Sequence, residues 1–382
     1  MPFPHSAHLF CRVIDNFGDI GVCWRLARQL ASEHRVQVSL WVDDLASFQR
    51  ICPSINPRTA IQVIENVVVR LWADEVGDWE KHVIPDLVIE AFACDLPPGY
   101  ILAMSQRSPR PAWINLEYLS AEDWVETCHA KPSPHPVLPL TKYFFFPGFT
   151  ACTGGLLCEQ ELLNRKGAFQ ADRQAVQTFL HSLDIIPDNE THFVSLFCYP
   201  NAPVKELFYA WEQGAQPLLC LVPEGVASNQ VAEFLGHPAV AGAVNRRNQL
   251  TVKVIPFLSQ PDYDRLLWSC DLNFVRGEDS LVRAQWAGRP FVWQIYPQQE
   301  DAHWPKLDAF LKRYGDGLPE QVKQELVAGW RWWNGASGCE LDWQAWSRQL
   351  SELQEHTRQW SEGLRRHGDL ASNLLRFVEK IG

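Results

Sequence analysis

Apolar positions in this chain fall into short runs that alternate with amphipathic stretches. The run from His8 to Ile14 is followed by DNFGDIG (15–21) and then VCWRLARQLASEH, in which Val22, Leu26, Ala27 and Leu30 recur at helical spacing. That is strand, loop, amphipathic helix. RVQVSLWV (35–42) follows at once as a second strand, and PDLVIEAFA (85–93) reads as a later buried one, so the β-α-β opening predicts a parallel sheet. From 96 to about 160 the pattern breaks into LPPG, KPSPHPVLPL and FFFPGFTACTGG, which predict ordered loops or a short insertion near a cleft.

Alternation then restarts. HFVSLFCY, PLLCLV, TVKVIPFL, LNFV and PFVWQIY read as strands, separated by helices over VKELFYAWEQG, SNQVAEFLG, PDYDRLLWSCD and SLVRAQWAG. This is a second doubly wound sheet. The polar segment 165–190, carrying PDNE, is the expected linker, and the tail after 341 is helical with Leu370, Leu374 and Phe377 on one face. The tract GWRWWNG, with Trp330, Trp332 and Trp333, is assigned to packing.

Composition narrows the class. At 382 residues the chain exceeds what one hydrophobic core usually holds, and 46% hydrophobic with 21% charged residues is ordinary globular usage. A formal charge of -11 argues against nucleic acid as partner, because phosphate neutralisation needs a basic face. No apolar run reaches the roughly 20 residues of a membrane span, and the start lacks the basic and apolar regions of a signal peptide. Eleven cysteines without CxxC spacing predict free thiols in a reducing cytoplasm rather than disulfides or zinc; Cys152 and Cys158, with His192 far away in sequence, are the nearest approach to a metal site.

Open α/β sheets bind ligands at the carboxyl ends of strands, beside helix N-termini. Two segments meet that condition: 15–21 in the first half and Arg276-Gly277-Glu278-Asp279-Ser280 in the second. The first contains Gly18 and Gly21 but neither a dinucleotide nor a P-loop fingerprint. It offers carboxylates instead. Asp15 and Asp19 stand four residues apart, either turned toward one cleft or serving simply as turn residue and N-cap. The second has the parts of a diphosphate cradle, namely helix amides, the Ser280 hydroxyl and the forked Arg276 cation. Its plainer reading is capping by Asp279 or Ser280, with Arg276 paired to Glu278. Phe197, Tyr199, Phe257 and Gln260 at strand ends have the character of a base site, a stacking face plus an amide, or of core.

These same stretches carry a resemblance. DNFGDIGVCWRLARQL (15–30), WINLEYLSAEDW (113–124), KYFFFPGFTACTGGL (142–156) and RGEDSLVRAQWAGRPFVWQIYPQQEDAHWPKLDAF (276–310) resemble the bacterial protein-arginine rhamnosyltransferases of elongation factor P, the EarP family, along essentially the whole chain. The resemblance implies a GT-B-like α/β fold of two Rossmann-type doubly wound parallel-sheet domains facing across a cleft. The domains would be 1–180, binding the acceptor, with the helix 361–382 packing back on it, and 181–360, binding a nucleotide sugar. It further implies a cytoplasmic, inverting, metal-independent transfer of L-rhamnose from dTDP-β-L-rhamnose to a loop arginine of elongation factor P, without a cofactor. Asp15, Asp19 and Glu278 would be catalytic; Phe17, Gly18, Phe197, Tyr199, Phe257, Gln260, Arg276, Asp279 and Ser280 would hold the donor. Another nucleotide-sugar enzyme, such as an epimerase, or a non-catalytic nucleotide-sugar-binding protein remains the alternative on the same fold.

Overall fold

A computed structural model describes residues 3–15, 17–72, 79, 82–187, 190–298 and 301–382. The chain divides into two units, Met1–Gln160 with Gly363–Gly382, and Glu161–Glu362.

Along the first unit run β1 (Ser6–Cys11), α1 (Gly18–Ser32), β2 (Gln37–Val42), α2 (Leu45–Ile51), β3 (Ile61–Ile64), β4 (Val67–Leu71), β5 (Leu87–Ala91), α3 (Pro98–Gln106), β6 (Ala112–Leu116), α4 (Trp124–Cys128), β7 (Pro132–Pro134) and β8 (Thr141–Phe145). They form one sheet in the order β3-β4-β2-β1-β5-β6-β8-β7, parallel throughout except for the antiparallel edges β3 and β7. Counting only the parallel strands, the order is 3-2-1-4-5-6. Its direction reverses between β1 and β5, the point at whose carboxyl ends such sheets bind ligands. The central strands read as unbroken apolar runs because both their faces are covered, with Leu9, Ile89 and Ile114 fully buried. Helix α1 covers one face through Ile20, Cys23, Trp24, Leu26 and Leu30.

The region from 96 to 160 is not an insertion. It supplies β6 and β8 to the sheet. Both are five residues long and largely apolar or aromatic, so they lack the alternation that marks a half-buried strand, and the prolines around them read as loop. The edges differ in character: β7 carries Pro132 and Pro134, whereas β3 leaves Ile61 and Val63 58% and 67% exposed.

The second unit contains α5 (Leu162–Ala171), α6 (Arg173–Ser182), β9 (His192–Leu196), α7 (Val204–Glu212), β10 (Leu218–Pro223), α8 (Ser228–Leu235), β11 (Val244–Arg247), β12 (Leu250–Ile255), α9 (Gln260–Ser269), β13 (Leu272–Arg276), α10 (Gly277–Ala287), β14 (Phe291–Gln294), α11 (His303–Tyr314), α12 (Glu320–Trp333), α13 (Trp343–Ser347) and α14 (Leu350–Leu364). Its sheet runs β11-β12-β10-β9-β13-β14, with only β11 antiparallel. The parallel order is 3-2-1-4-5, reversing between β9 and β13. The stretch expected as a linker is instead mostly α5 and α6, and the division falls at 160/161 rather than 180/181. Phe179, Leu180 and Leu183 are core, clustered with Phe193, Leu221, Ile255 and Leu266.

Trp330 and Trp333 are fully buried, as their assignment to packing anticipates. Helix α15 (Leu370–Ile381) belongs to the first unit; Leu370, Leu374 and Val378 are buried and Phe377 meets Tyr143 and Phe145 edge-on or tilted. Asp369 caps α15 and accepts from the Gln29 amide of α1 at 3.0 Å. The eleven cysteines, all described, are free thiols. Among the described residues no helix is long and apolar enough to cross a membrane, and no three His, Cys, Asp or Glu side chains are grouped to hold a metal ion.

Candidate functional site

The reversal point of the first sheet is where the β1–α1 loop turns. Asp19, in the first turn of α1, is 2% exposed, and its Oδ2 accepts from the backbone N–H groups of Ile14 and Asp15 at 2.8 and 2.9 Å. Those amides precede the helix, so Asp19 fastens the incoming loop and is not a cap; the N-cap is Phe17, with no side-chain cap bond. Asp15 turns the chain, its carbonyl accepting from Gly18 N–H at 2.6 Å. Its carboxylate lies against Gly18, where an added Cβ would stand 2.7 Å from Oδ2. A glycine at 18 is therefore what lets Asp15 fold back over the start of α1. Phe17 is half-buried with the Arg50 guanidinium 5.6 Å from its ring centroid.

Burial raises the Asp19 carboxyl above the usual carboxylate range, opposed by the Asp15 and Ile14 amides; the Asp15 carboxylate adds to the rise and the Tyr118 hydroxyl opposes it. Tyr118 follows β6 and stacks on Phe92, the rings 4.4 Å apart at 15°. Phe92 and Ala93 both have positive φ, 57° and 51°, directly after β5. Side chains with a Cβ pay for that conformation, and such strain is held only where the surroundings demand it. Here Phe92 N–H donates to Leu116 O at 2.7 Å and Ala93 N–H to the fully buried Asn115 Oδ1 at 3.1 Å. The Asn115 amide in turn donates to Glu117. Two strained residues thus fix the platform on which Tyr118 reaches Asp19.

In the second unit, the corresponding reversal point gathers Phe197 and Tyr199 after β9 with Arg276 at the end of β13. The Arg276 guanidinium lies 4.5 Å from the Phe197 ring centroid and 4.7 Å from that of Tyr199, and donates to Cys198 O at 3.3 Å. This places a half-buried cation against two aromatic faces. Gln294 Oε1 accepts from Tyr199 N–H at 2.7 Å and pins that loop to β14. Arg276 is the N-cap of α10, no side chain caps that helix, and Gly277 has a φ of 62°. Trp293 donates to the Gly277 carbonyl at 2.8 Å, which holds the turn. Asp279 and Ser280 therefore sit inside the first turn and do not cap it.

Gln260 opens α9, and its amide donates to Asp279 Oδ2 at 3.2 Å, tying the starts of α9 and α10 together. The same two helices are joined deeper down by the buried Arg283–Asp264 pair at 2.6 and 2.9 Å. Phe257 lies 6.2 Å from Phe197, and the half-buried Tyr263 stands by Ser280 and 5.6 Å from Phe197.

Unit one thus brings together Asp15, Phe17, Gly18 and Asp19, and unit two brings together Phe197, Tyr199, Phe257, Gln260, Arg276, Glu278, Asp279 and Ser280. Sequence reasoning overlooked Tyr118, Phe92, Asn115 and Tyr263. WINLEYLSAEDW carries part of the family resemblance, but with β6 unread in the sequence its Tyr118 has no place at a strand's carboxyl end.

Comparison with known proteins bears on the chain as a whole. The family model described as Elongation-Factor P (EF-P) rhamnosyltransferase EarP matches residues 7–379. Protein-arginine rhamnosyltransferases of Pseudomonas aeruginosa and Pseudomonas putida are 47% and 48% identical, each aligned over 97% of this chain and over 98% and 97% of their own lengths. A solved structure concerning the structural basis for EarP-mediated arginine glycosylation of translation elongation factor EF-P superposes with a TM-score of 0.70 at 35% identity, covering 98% of this chain and 99% of that one. A glycosyltransferase from Rickettsia africae shares the fold alone, at a TM-score of 0.51 and 9% identity over 99% of this chain and 97% of that one.

Proposed function

Because this chain belongs to the EarP family of elongation factor P rhamnosyltransferases, a GT-B glycosyltransferase family, we propose that it transfers L-rhamnose from dTDP-β-L-rhamnose to a loop arginine of elongation factor P in the cytoplasm, with inversion and without a metal ion or other cofactor. The observation that carries the reading is the buried Asp19 carboxylate, held by two loop amides and a phenol where the first sheet reverses. A guanidinium stays protonated, with a pKa above about 12, whereas an ordinary Asp sits near about 3.9. Full prior deprotonation would span roughly eight units, or about 11 kcal/mol. Asp19 instead hydrogen-bonds the guanidinium, localises its charge away from one nitrogen, and accepts the proton as the C–N bond forms and the bond from the sugar carbon to the diphosphate oxygen breaks. Burial helps by raising the basicity of that carboxylate.

The donor falls to the second unit. Phe197, Tyr199 and Phe257 are assigned to its base and sugar, and Arg276 with the α10 amides to the charge on the departing diphosphate. Glu278 is assigned to the reacting centre, Asp15 to positioning. Arg276 and a helix terminus supply the charge stabilisation that a divalent ion supplies in other transferases, which is the support for a metal-free step.

Intact mass of unmodified elongation factor P, incubated with the protein and dTDP-rhamnose, tests the proposal. One added deoxyhexosyl unit on one arginine is expected. Donor consumption without that mass change would make the protein a small-molecule enzyme, and donor binding without turnover would make it a binding protein.

Tyr118→Phe supplies a finer test. Its hydroxyl favours the Asp19 anion, so removing it raises the Asp19 pKa. A hydrogen bond of about 0.5–1.5 kcal/mol corresponds to roughly 0.4 to 1 pH unit. Since the base must be ionised, the acid limb of the rate profile moves to higher pH by that amount while KM for donor is unchanged. An unmoved limb would remove Tyr118 from the mechanism.

A further inference from the structure

One opening in the second unit lies away from its reversal point. A cavity of about 410 Å³ opens at the amino ends of the strands, where His192 begins β9, Leu218 begins β10 and Leu272 begins β13. Phe197, Tyr199 and Arg276 follow or end their strands, so the two places occupy opposite edges of one sheet. The volume lies within the range of small-molecule sites, roughly 300–1,000 Å³.

Its chemistry is divided. Val194, Leu218 and Leu272 make an aliphatic floor, and Trp211 and Trp343, 5.6 Å apart at 71°, make aromatic walls. Arg348 stands at the rim. Its Nε donates to Gln344 O at 3.0 Å, and it forms no ion pair among the described residues. Asp271 also lines the cavity, but its Oδ2 accepts from Phe193 N–H at 2.9 Å and lies 3.7 Å from His192 Nδ1, so its charge is engaged.

We propose that this cavity is a second ligand site, taking a small aromatic carboxylate whose flat body lies against the tryptophans and aliphatic floor while its acceptor oxygens engage Arg348. A flat apolar body suits the walls, and only an anion uses the unpaired cation at the rim. A neutral ligand of the same shape would leave the guanidinium idle.

Calorimetric titration of the full chain with 2-naphthoate tests this. One molecule is expected to bind, with affinity at least tenfold lower for neutral 2-naphthalenemethanol and for Arg348→Glu, a surface change that leaves the fold intact. Ala215→Trp, which fills the cavity from an exposed loop position, is expected to abolish binding. Phe257→Ala, on the opposite sheet edge, is expected to leave it within twofold. No binding at millimolar probe, binding that survives both Arg348→Glu and Ala215→Trp, or loss in a folded Phe257→Ala protein would each overturn the proposal.

Discussion

Asp19→Asn is expected to lower rhamnosyl transfer by about 10² to 10⁴, the usual range for loss of a catalytic acid or base, while the folded protein melts no lower than the parent at pH 7. The two halves have one cause. Burial lifts the Asp19 carboxyl above its ordinary 3.8, so the folded chain holds that proton more tightly than the unfolded chain does. The carboxyl's stabilising contribution is thus complete below 3.8 and is lost as pH rises through the raised value, leaving a charged, desolvated group that costs stability at neutral pH. Asparagine keeps an oxygen for the Ile14 and Asp15 amides and removes the charge, and so retains the loop without its cost. A rate within a few-fold of the parent would leave Asp19 as a loop fastener only. A lower melting temperature would show that the anion itself holds the loop.

Arg276→Lys is expected to weaken dTDP binding by about 1.5 to 3 kcal/mol, the scale of a charged hydrogen bond, or roughly ten- to more than a hundredfold. Lysine keeps the charge but loses the planar fork and its fit against the Phe197 and Tyr199 faces, 4.5 and 4.7 Å away. Binding of unmodified elongation factor P should hardly change. Normal dTDP affinity in a folded variant would make the arginine a brace between the two loops, through its bond to Cys198 O. Loss of elongation factor P binding instead would assign the acceptor to the second unit.

Much of this arrangement was legible beforehand. The β1–α1 opening and the second doubly wound sheet announce themselves because helices between parallel strands impose two clear periodicities, and DNFGD and RGEDS stand where such sheets bind ligands. What stayed hidden depends on tertiary contact. Five-residue β6 and β8 offer no period to read, and α5 and α6, polar on most faces, show their allegiance through Leu162 and Phe169 of the one and Phe179 and Leu180 of the other. Asp19 has the sequence position of a cap, and only the structure reveals that its partners lie before the helix. Gln260 looked like an amide free to read a base, yet it is engaged with Asp279. Tyr118 could not be ranked while its strand was unseen.

The unequal edges of the first sheet bear on how the protein behaves in a concentrated solution. Proline at 132 and 134 denies a neighbouring chain the amides it would need on the β7 side. On the β3 side, the outward backbone groups of Ile61–Ile64 have no strand beyond them among the described residues, and the exposed Ile61 and Val63 would contribute apolar contact to any strand laid alongside. Any colloidal self-association of purified material is therefore expected to begin at β3. A single lysine in place of Val63 would guard that border with charge, far from both carboxylates and cradle in the sequence, and is expected to make concentrated stocks scatter less light on storage without altering turnover.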